Sequence, residues 1–565
     1  MRRFAATAIA AALCLVPTSA LACGGLFCRT APIVQNGEKI LFATDSQNVI
    51  AYVQIQYQGD ANEFSWVVPV PTEPALSVGT DAVFTALSRD TVPTFNIDIK
   101  DEGTCKSSVS FASGAVRKAA PTANAGAVQV VSQNQVGPYD SAVIKSDDPG
   151  ALKQWLKDNG YVLPPKLDPL LDPYVAGKYY FVALKLTKDR AVGDIQPIVL
   201  KYASTKPGIP IRLTGVAANP DMDVYVWVLG KKRAIPENYR HAIINEARID
   251  WLTQGSNYNQ VVTEAMNEAG GQAFVTDYAG GSQVVDVGSS GSDLEKQVAA
   301  VDATDPVAFY NQVLRLFAGT TKGQSFVKKY IPKPSSVTAS DQDFYNNLNA
   351  YQKELAANQT TVDVAAARTQ LTEELVKPQM EAEKLFKGLP YLTRMYTTMS
   401  PEEMTQDPMF VFNGDLPLVS KDHTATGVRK CSGNVEQGDA PILITLENGL
   451  TYTYDPRPTS GAGGTGKLPA AAKVEQLKSS GAASLIKDNS GDIQKVLATV
   501  ALGRSSSGQV ISVPKAGLNG FGCAGCGNTT GPAIPVQRGA DEGLAYALVF
   551  MGFVGYRRWV GRRKK

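Results

Sequence analysis

Histidine is nearly missing from this sequence: there are two in 565 residues, His241 and His423. That scarcity excludes a His-Glu-x-x-His zinc signature, and the Gly-x-Ser-x-Gly nucleophile elbow is absent as well. No EF-hand loop spacing occurs. The single Cys-x-x-Cys, Cys523 to Cys526, has no second copy to complete a zinc set. No fixed-period repeat points to a solenoid or propeller. Surplus charge is lacking too. The total is +2, but Arg2, Arg3 and six residues of the basic tail sit at the two ends. That leaves 47 basic against 53 acidic side chains in 23–542, a net of −6. Nucleic acid is therefore not an expected partner. No catalytic, cofactor-binding or metal residue is assigned from sequence, and no cofactor is expected.

What is present begins at the ends. Met1-Arg2-Arg3 precedes an uncharged apolar run from Phe4 to Val16, and Ala20-Leu21-Ala22 forms a small-x-small cleavage triplet. Residues 1–22 read as an export signal, which makes Cys23 the first mature residue. The run is too short for a spanning helix. A cysteine at the cut raises lipid attachment, although Ala20 stands where such signals usually carry leucine.

At the other end Asp541-Glu542 precedes the apolar stretch Gly543 to Tyr556, followed by Arg557-Arg558-Trp559-Val560 and a basic tail. Fourteen helical residues reach about 21 Å, and counting to Val560 brings the span near 27 Å, against a hydrocarbon core of about 30 Å. Snorkelling arginines extend it. The expectation is a short transmembrane anchor at 543–560 and a cytoplasmic basic tail at 561–565.

Six cysteines survive signal removal: Cys23, Cys28, Cys105, Cys431, Cys523 and Cys526. An even number in an exported chain suggests disulfides, with 15 possible connectivities. Local pairs Cys23–Cys28 and Cys523–Cys526 would leave Cys105–Cys431 as a long-range bond.

The interior is too long for one ordinary core, and its pattern is α+β and multidomain. A β-rich domain is expected at 23–145. There Ala51, Val53, Ile55 and Tyr57 share a strand face, and the prolines of Phe64 to Pro71 demote that run to an edge or a strand end. An α+β domain is expected at 146–300. Asp147 or Asp148 caps a helix that carries Trp155 and Leu156 inward and ends at Gly160, and strands follow at 178–186, 197–202, 209–213 and 224–229.

Helices dominate from about 300 to 410, inside a block drawn at 301–430. Asp305-Pro306 opens one. Phe344, Leu348, Tyr351 and Leu355 fall on one helical face, and Ser400-Pro401-Glu402-Glu403 reads as a capping box. A small α/β segment (431–504) and a Gly/Ser/Pro stalk (505–542) precede the anchor.

These blocks resemble the bacterial domain-of-unknown-function family 2330. The resemblance rests on Cys23-Gly-Gly-Leu-Phe-Cys28, Ile55 to Tyr57 with Phe64 to Pro71, Tyr180 to Leu186, Ala234-Ile-Pro-Glu-Asn-Tyr239, and Leu392-Thr-Arg-Met-Tyr396 through Pro408. It covers about residues 20–430 and implies an exported bacterial envelope protein, with no activity attached. The tail resembles a C-terminal sorting signal, and Gly522 to Gly527 is similar to the glycine-cysteine motif of myxobacterial-type tails. Here Asn528 to Glu542 separate that motif from the apolar segment.

Three weaker patterns call for bland readings. Gly461 to Lys467 has phosphate-loop spacing, but Leu468 stands where magnesium needs Ser or Thr, so it reads as linker. Asp168 to Asp172 and Asp221-Met-Asp223 offer two carboxylates each, fewer than calcium requires. His241 and His423 read as structural histidines, although either has acid–base capacity.

The function expected is that of an exported, membrane-anchored envelope ectodomain. It would be disulfide-stabilised and non-enzymatic, binding an envelope protein or polymer. The alternative is an envelope hydrolase or peptidase-like enzyme. A cleft in which His241 or His423 meets a carboxylate and a Ser, Cys or Thr would favour that alternative. A thiol oxidoreductase using Cys523 and Cys526 is a third, weaker option.

Overall fold

Contiguous apolar runs, Ile40 to Ala43 in Val34–Thr44 and Val49 to Val53 in Asn48–Gln58, make a hairpin that starts a ten-stranded mixed sheet. In spatial order its strands are Ser484–Asp488, Ala471–Gln476, Arg240–Ile244, Ala273–Gly281, Tyr391–Met399, Ala218–Gly230, Val34–Thr44, Asn48–Gln58, Ile198–Ala203 and Ala75–Val78. The computed structural model describes residues 34–45, 47–58, 65–105, 125–126, 130–161, 167–187, 195–216, 218–317, 321–457, 468–505 and 509–514. All belong to the unit Met1–Lys515; a second unit, Ala516–Lys565, lies outside them.

The sheet is buried on both faces. Ile40, Phe42, Ala51, Val53, Ile55, Val226 and Met395 pack against Trp66, Val68, Val182 and Leu184 of a four-stranded sheet. The opposite side, with Leu41, Tyr52, Val199 and Trp227, packs against the helix Asp81–Thr91 through Val83, Phe84 and Leu87. The four-stranded sheet carries helices on its own far side, Pro149–Asp158 and Asp168–Ala176, which bury Leu152, Trp155, Leu156 and Leu171. The centre is therefore helix, sheet, sheet, helix. Ser65–Val70 lies at an edge of the smaller sheet, where a proline, Pro69, is tolerated.

Local chemistry explains the helix starts. Asp148 accepts from the Gly150 and Ala151 amides, Trp155 and Leu156 are buried, and Gly160 takes a left-handed φ of +68°. Asp305 caps Pro306–Leu316 through the Ala308 amide at 2.8 Å. Phe344, Leu348 and Leu355 do face one core, but the expected single helix is three short pieces, Asp341–Asn346, Leu348–Tyr351 and Gln352–Ala357. The box at Ser400 closes through Glu403 onto the Ser400 amide at 2.7 Å, yet it forms only one turn.

Several expectations need correction. Residues 209–213 are not a strand: Pro210 precedes a short helix, Ile211–Thr214. Asp168 to Asp172 is the start of a helix. The helical stretch runs from Gly291–Ala299 to Lys377–Gly388, and Tyr391–Met399 is already a central strand. The stalk starts later than 505, because Val510–Pro514 pairs with Val500–Arg504 in a six-stranded sheet. The boundaries at 145, 300 and 430 do not separate units, since the ten-stranded sheet takes strands from every block between 34 and 488. The signal at 1–22, Cys23, Cys28, Cys523, Cys526, the glycine-rich loop at 461–467 and the helix at 543–560 lie outside the described residues. Among the described residues, no helix is long and apolar enough to cross a membrane.

Cys105 and Cys431 form a disulfide across 326 residues. It continues the parallel pairing of Thr94–Glu102 with Asp422–Lys430, and the Cys431 amide donates to the Glu102 carbonyl at 2.9 Å. Gly103 makes the approach possible. Its φ is +93°, and a Cβ there would lie 2.4 Å from the Cys431 carbonyl oxygen. In the chain-entropy picture, closing so long a loop is worth about 5 kcal/mol. The double substitution Cys105→Ser, Cys431→Ser should lower the urea midpoint by a matching amount; a midpoint equal to that of the parent would show that the bond adds nothing.

Candidate functional site

Both histidines of the chain line one cleft of about 480 Å³. Strand register assembles its first half. Arg240–Ile244 runs between Ala471–Gln476 and Ala273–Gly281, so His241 stands directly across from Glu475 on one side and Phe274 on the other. Thr276 lies two residues beyond Phe274 and so on the same face. His241 Nε2 is 3.1 Å from Thr276 Oγ1, and His241 Nδ1 is 3.4 Å from Glu475 Oε2, a long contact. Arg233 Nη2 reaches Thr276 Oγ1 at 3.3 Å, and Arg233 Nη1 donates to the Pro417 carbonyl at 2.9 Å.

A β-bulge sets the floor. Pairing passes from Thr276–Met395 to Tyr278–Arg394, leaving Asp277 without a cross-strand partner. The extra residue turns Asp277 inward. It is 3% exposed, accepts from the Tyr258 hydroxyl, and pairs with Arg394 Nε at 2.9 Å. The Arg394 guanidinium lies 5.5 Å from the ring centroids of both Tyr225 and Trp227.

The second half comes from another sheet. His423, on Asp422–Lys430, meets Glu246 Oε1 at 2.8 Å through Nδ1 and stacks on Phe95 at 4.8 Å. The walls are apolar, among them Ile243, Ile244, Val419 and Leu477.

The two histidines titrate in opposite directions. Burial pushes His241 below its ordinary 6.5; Glu475 opposes this and Arg233 adds to it. His423 is raised despite burial, because Glu246 outweighs desolvation with help from Asp277 and Glu447. Burial lifts the Asp277 carboxyl, with Arg394 and Tyr258 pulling it back. Contact with His241 lowers Glu475. His241 thus stays neutral at neutral pH with one nitrogen able to take a proton, and its neighbours are a hydroxyl, a carboxylate and a guanidinium.

The chain matches, over residues 17–411, the family described as uncharacterized protein conserved in bacteria, DUF2330. The chain belongs to this family. No curated protein and no solved structure matches it. The matched span holds Arg233, His241, Glu246, Thr276, Asp277 and Arg394 but stops short of His423 and Glu475, so the cleft is completed by the region after it.

Sequence reasoning singled out the two histidines and left them as structural; their convergence, and the roles of Arg233, Thr276, Asp277 and Glu475, went unseen. One signal was available. The segments Ala234 to Tyr239 and Leu392 to Tyr396, which carry the family resemblance, lie beside Arg233 and His241 and around Arg394. The disulfide cysteines do not line the cleft. Asp223, from the acidic pair at 221–223, accepts from the Tyr396 hydroxyl at 2.5 Å. Among the described residues, no group of three or more His, Cys, Asp or Glu is arranged to hold a metal.

Two outcomes follow. Replacing Asp277 by Asn should cost about 3–5 kcal/mol, because Arg394 keeps its buried charge without a full partner; a denaturant melt measures this, and a loss below 1 kcal/mol contradicts it. The His423–Glu246 pair stabilises fully below pH 6.5, where even the unfolded histidine is charged, and loses that contribution as pH rises through the raised folded value. The melting-temperature gap between the parent and Glu246→Gln should therefore be widest below 6.5 and narrow above it. His241 has the opposite sign in both proteins, losing stability as pH falls below 6.5.

Proposed function

We propose that this protein is an exported, membrane-anchored ectodomain of the bacterial envelope that binds an acyl ligand in the His241–His423 cleft. The ligand is a carbonyl or carboxylate head on an apolar body. The convergence of both histidines with Arg233 on one cleft carries this reading. Arg233 lines the cleft and holds its guanidinium beside Thr276 Oγ1, a positive charge suited to a carbonyl or carboxylate head. Apolar walls suit the body of such a ligand, and Ile243 among them is 42% exposed. About 480 Å³ is within the range of small-molecule sites.

Export and anchorage are supported by the signal-like residues 1–22, by the Cys105–Cys431 disulfide, which suits an oxidising compartment, and by the apolar stretch and basic tail after 542. Protease shaving of intact cells should release peptides from 23 to about 540; a body protected until lysis would refute this topology. For the cleft, hexanoate and N-butyrylglycine titrated into the full-length protein in detergent should bind saturably. Arg233→Gln should weaken that binding at least tenfold. Absence of heat or thermal shift with both probes would reject the acyl-ligand reading.

A further inference from the structure

We infer that Thr276, His241 and Glu475 form an acyl-transfer relay that hydrolyses carboxylic esters held in the cleft. This rests on the acyl-ligand reading above and goes beyond it, from binding to chemistry. The contacts are consistent with the proton assignment that such a relay needs, His241 Nδ1 standing 3.4 Å from Glu475 Oε2 without a hydrogen bond. Arg233 Nη2 donates to Thr276 Oγ1, the Thr276 hydroxyl donates to His241 Nε2, and His241 Nδ1–H faces Glu475. The order is nucleophile, base and orienting carboxylate. Glu475 Oε2 is 3.4 Å from His241 Nδ1 and not hydrogen-bonded to it, so the relay requires that contact to tighten when a substrate binds. Thr276 is partly exposed and lines the cleft, so its oxygen is reachable, while His241 is buried behind it.

Among the described residues, no hydroxyl is hydrogen-bonded to His423. Its nearest polar contact is Glu246, which supplies no hydroxyl. Burial keeps the His241 imidazole neutral and ready to accept a proton. Arg233 is 5% exposed, anchored through Pro417, and places positive charge beside Thr276 Oγ1.

The steps balance. Thr276 Oγ1 bonds to the ester carbonyl carbon as its proton passes to His241 Nε2, and negative charge on the carbonyl oxygen develops beside Arg233. The imidazolium is stabilised by Glu475. The carbon–alkoxide bond then breaks, and His241 returns the proton to the departing alcohol, leaving an acyl ester on Thr276. Water, deprotonated by His241, attacks that ester; the acid leaves and the threonine hydroxyl regains its proton.

The test uses full-length protein in detergent with p-nitrophenyl butyrate and an ethoxy fluorophosphonate. The expected result is saturable hydrolysis and one phosphonyl adduct mapped to Thr276. Thr276→Ala and His241→Ala should each lose about 100-fold or more in kcat, in line with removal of a nucleophile or its base. Thr276→Ser should keep turnover, which guards against loss through misfolding. Glu475 is a positioning residue, so Glu475→Gln should lower kcat with KM nearly unchanged. Hexanoate that binds to a protein showing neither hydrolysis nor adduct would overturn the relay and leave the binding role standing. Failure of both hexanoate and N-butyrylglycine to bind would remove both. Hydrolysis unaffected by Thr276→Ala would also overturn the relay.

Discussion

The buried ion pair between Asp277 and Arg394 is the constraint on which most of this architecture turns. A carboxylate and a guanidinium placed out of water need each other, and both are almost wholly enclosed here. The guanidinium packs near Tyr225 and Trp227, and Trp227 Nε1 donates to Thr91 at the end of the helix Asp81–Thr91. The carboxylate takes the Tyr258 hydroxyl from the helix Tyr258–Glu268, which covers the other end of the sheet. One pair thus ties the central strands to helices near both ends of the ten-stranded sheet. It also holds the bulge that separates Thr276, facing the cleft, from Tyr278, facing the helix-covered side.

The cleft follows from how two sheets meet. His241, Glu475 and Thr276 come from neighbouring strands of one sheet, where register alone brings them together. His423 and Glu246 come from the junction with the six-stranded sheet, where Phe95, Trp251 and Tyr258 make an aromatic cluster. The His241 side is suited to a neutral base and the His423 side to a charged one, so the cleft holds two electrostatic environments. Desolvation without a full ionic partner makes the first, and a close carboxylate makes the second.

Much of the local structure was legible because it obeys short-range rules. Asp148 and Asp305 are helix caps with proline behind them, Gly160 ends its helix in the left-handed region, and Pro69 sits in an edge strand, Ser65–Val70. The mixed α+β character followed from the same patterns. Long-range pairing left no such trace. Strands that share a sheet are separated by up to several hundred residues, and a strand buried on both faces, such as Tyr391–Met399, mixes polar and apolar residues on each face and so shows no alternation to mark it. For that reason 391–399 was read as part of a helical stretch, and the blocks looked like successive domains. The site was hidden for a related reason. Its members lie between Arg233 and Glu475, and a bulge at Asp277 that aims a hydroxyl has no sequence signature of its own.

The interleaved sheet bears on how the chain must mature. A polypeptide made from its N-terminus presents Val34–Thr44 first, but that strand's parallel neighbour is Ala218–Gly230, and the edge of the same sheet is Ser484–Asp488. The four-stranded sheet is complete by residue 186, but the ten-stranded sheet cannot close while later residues are still being made. Cys105 likewise waits for a partner 326 residues downstream, its thiol open to earlier exchange with other cysteines. The order of synthesis and the order of assembly are therefore opposed, and such a chain needs its early strands kept apart until its last ones arrive.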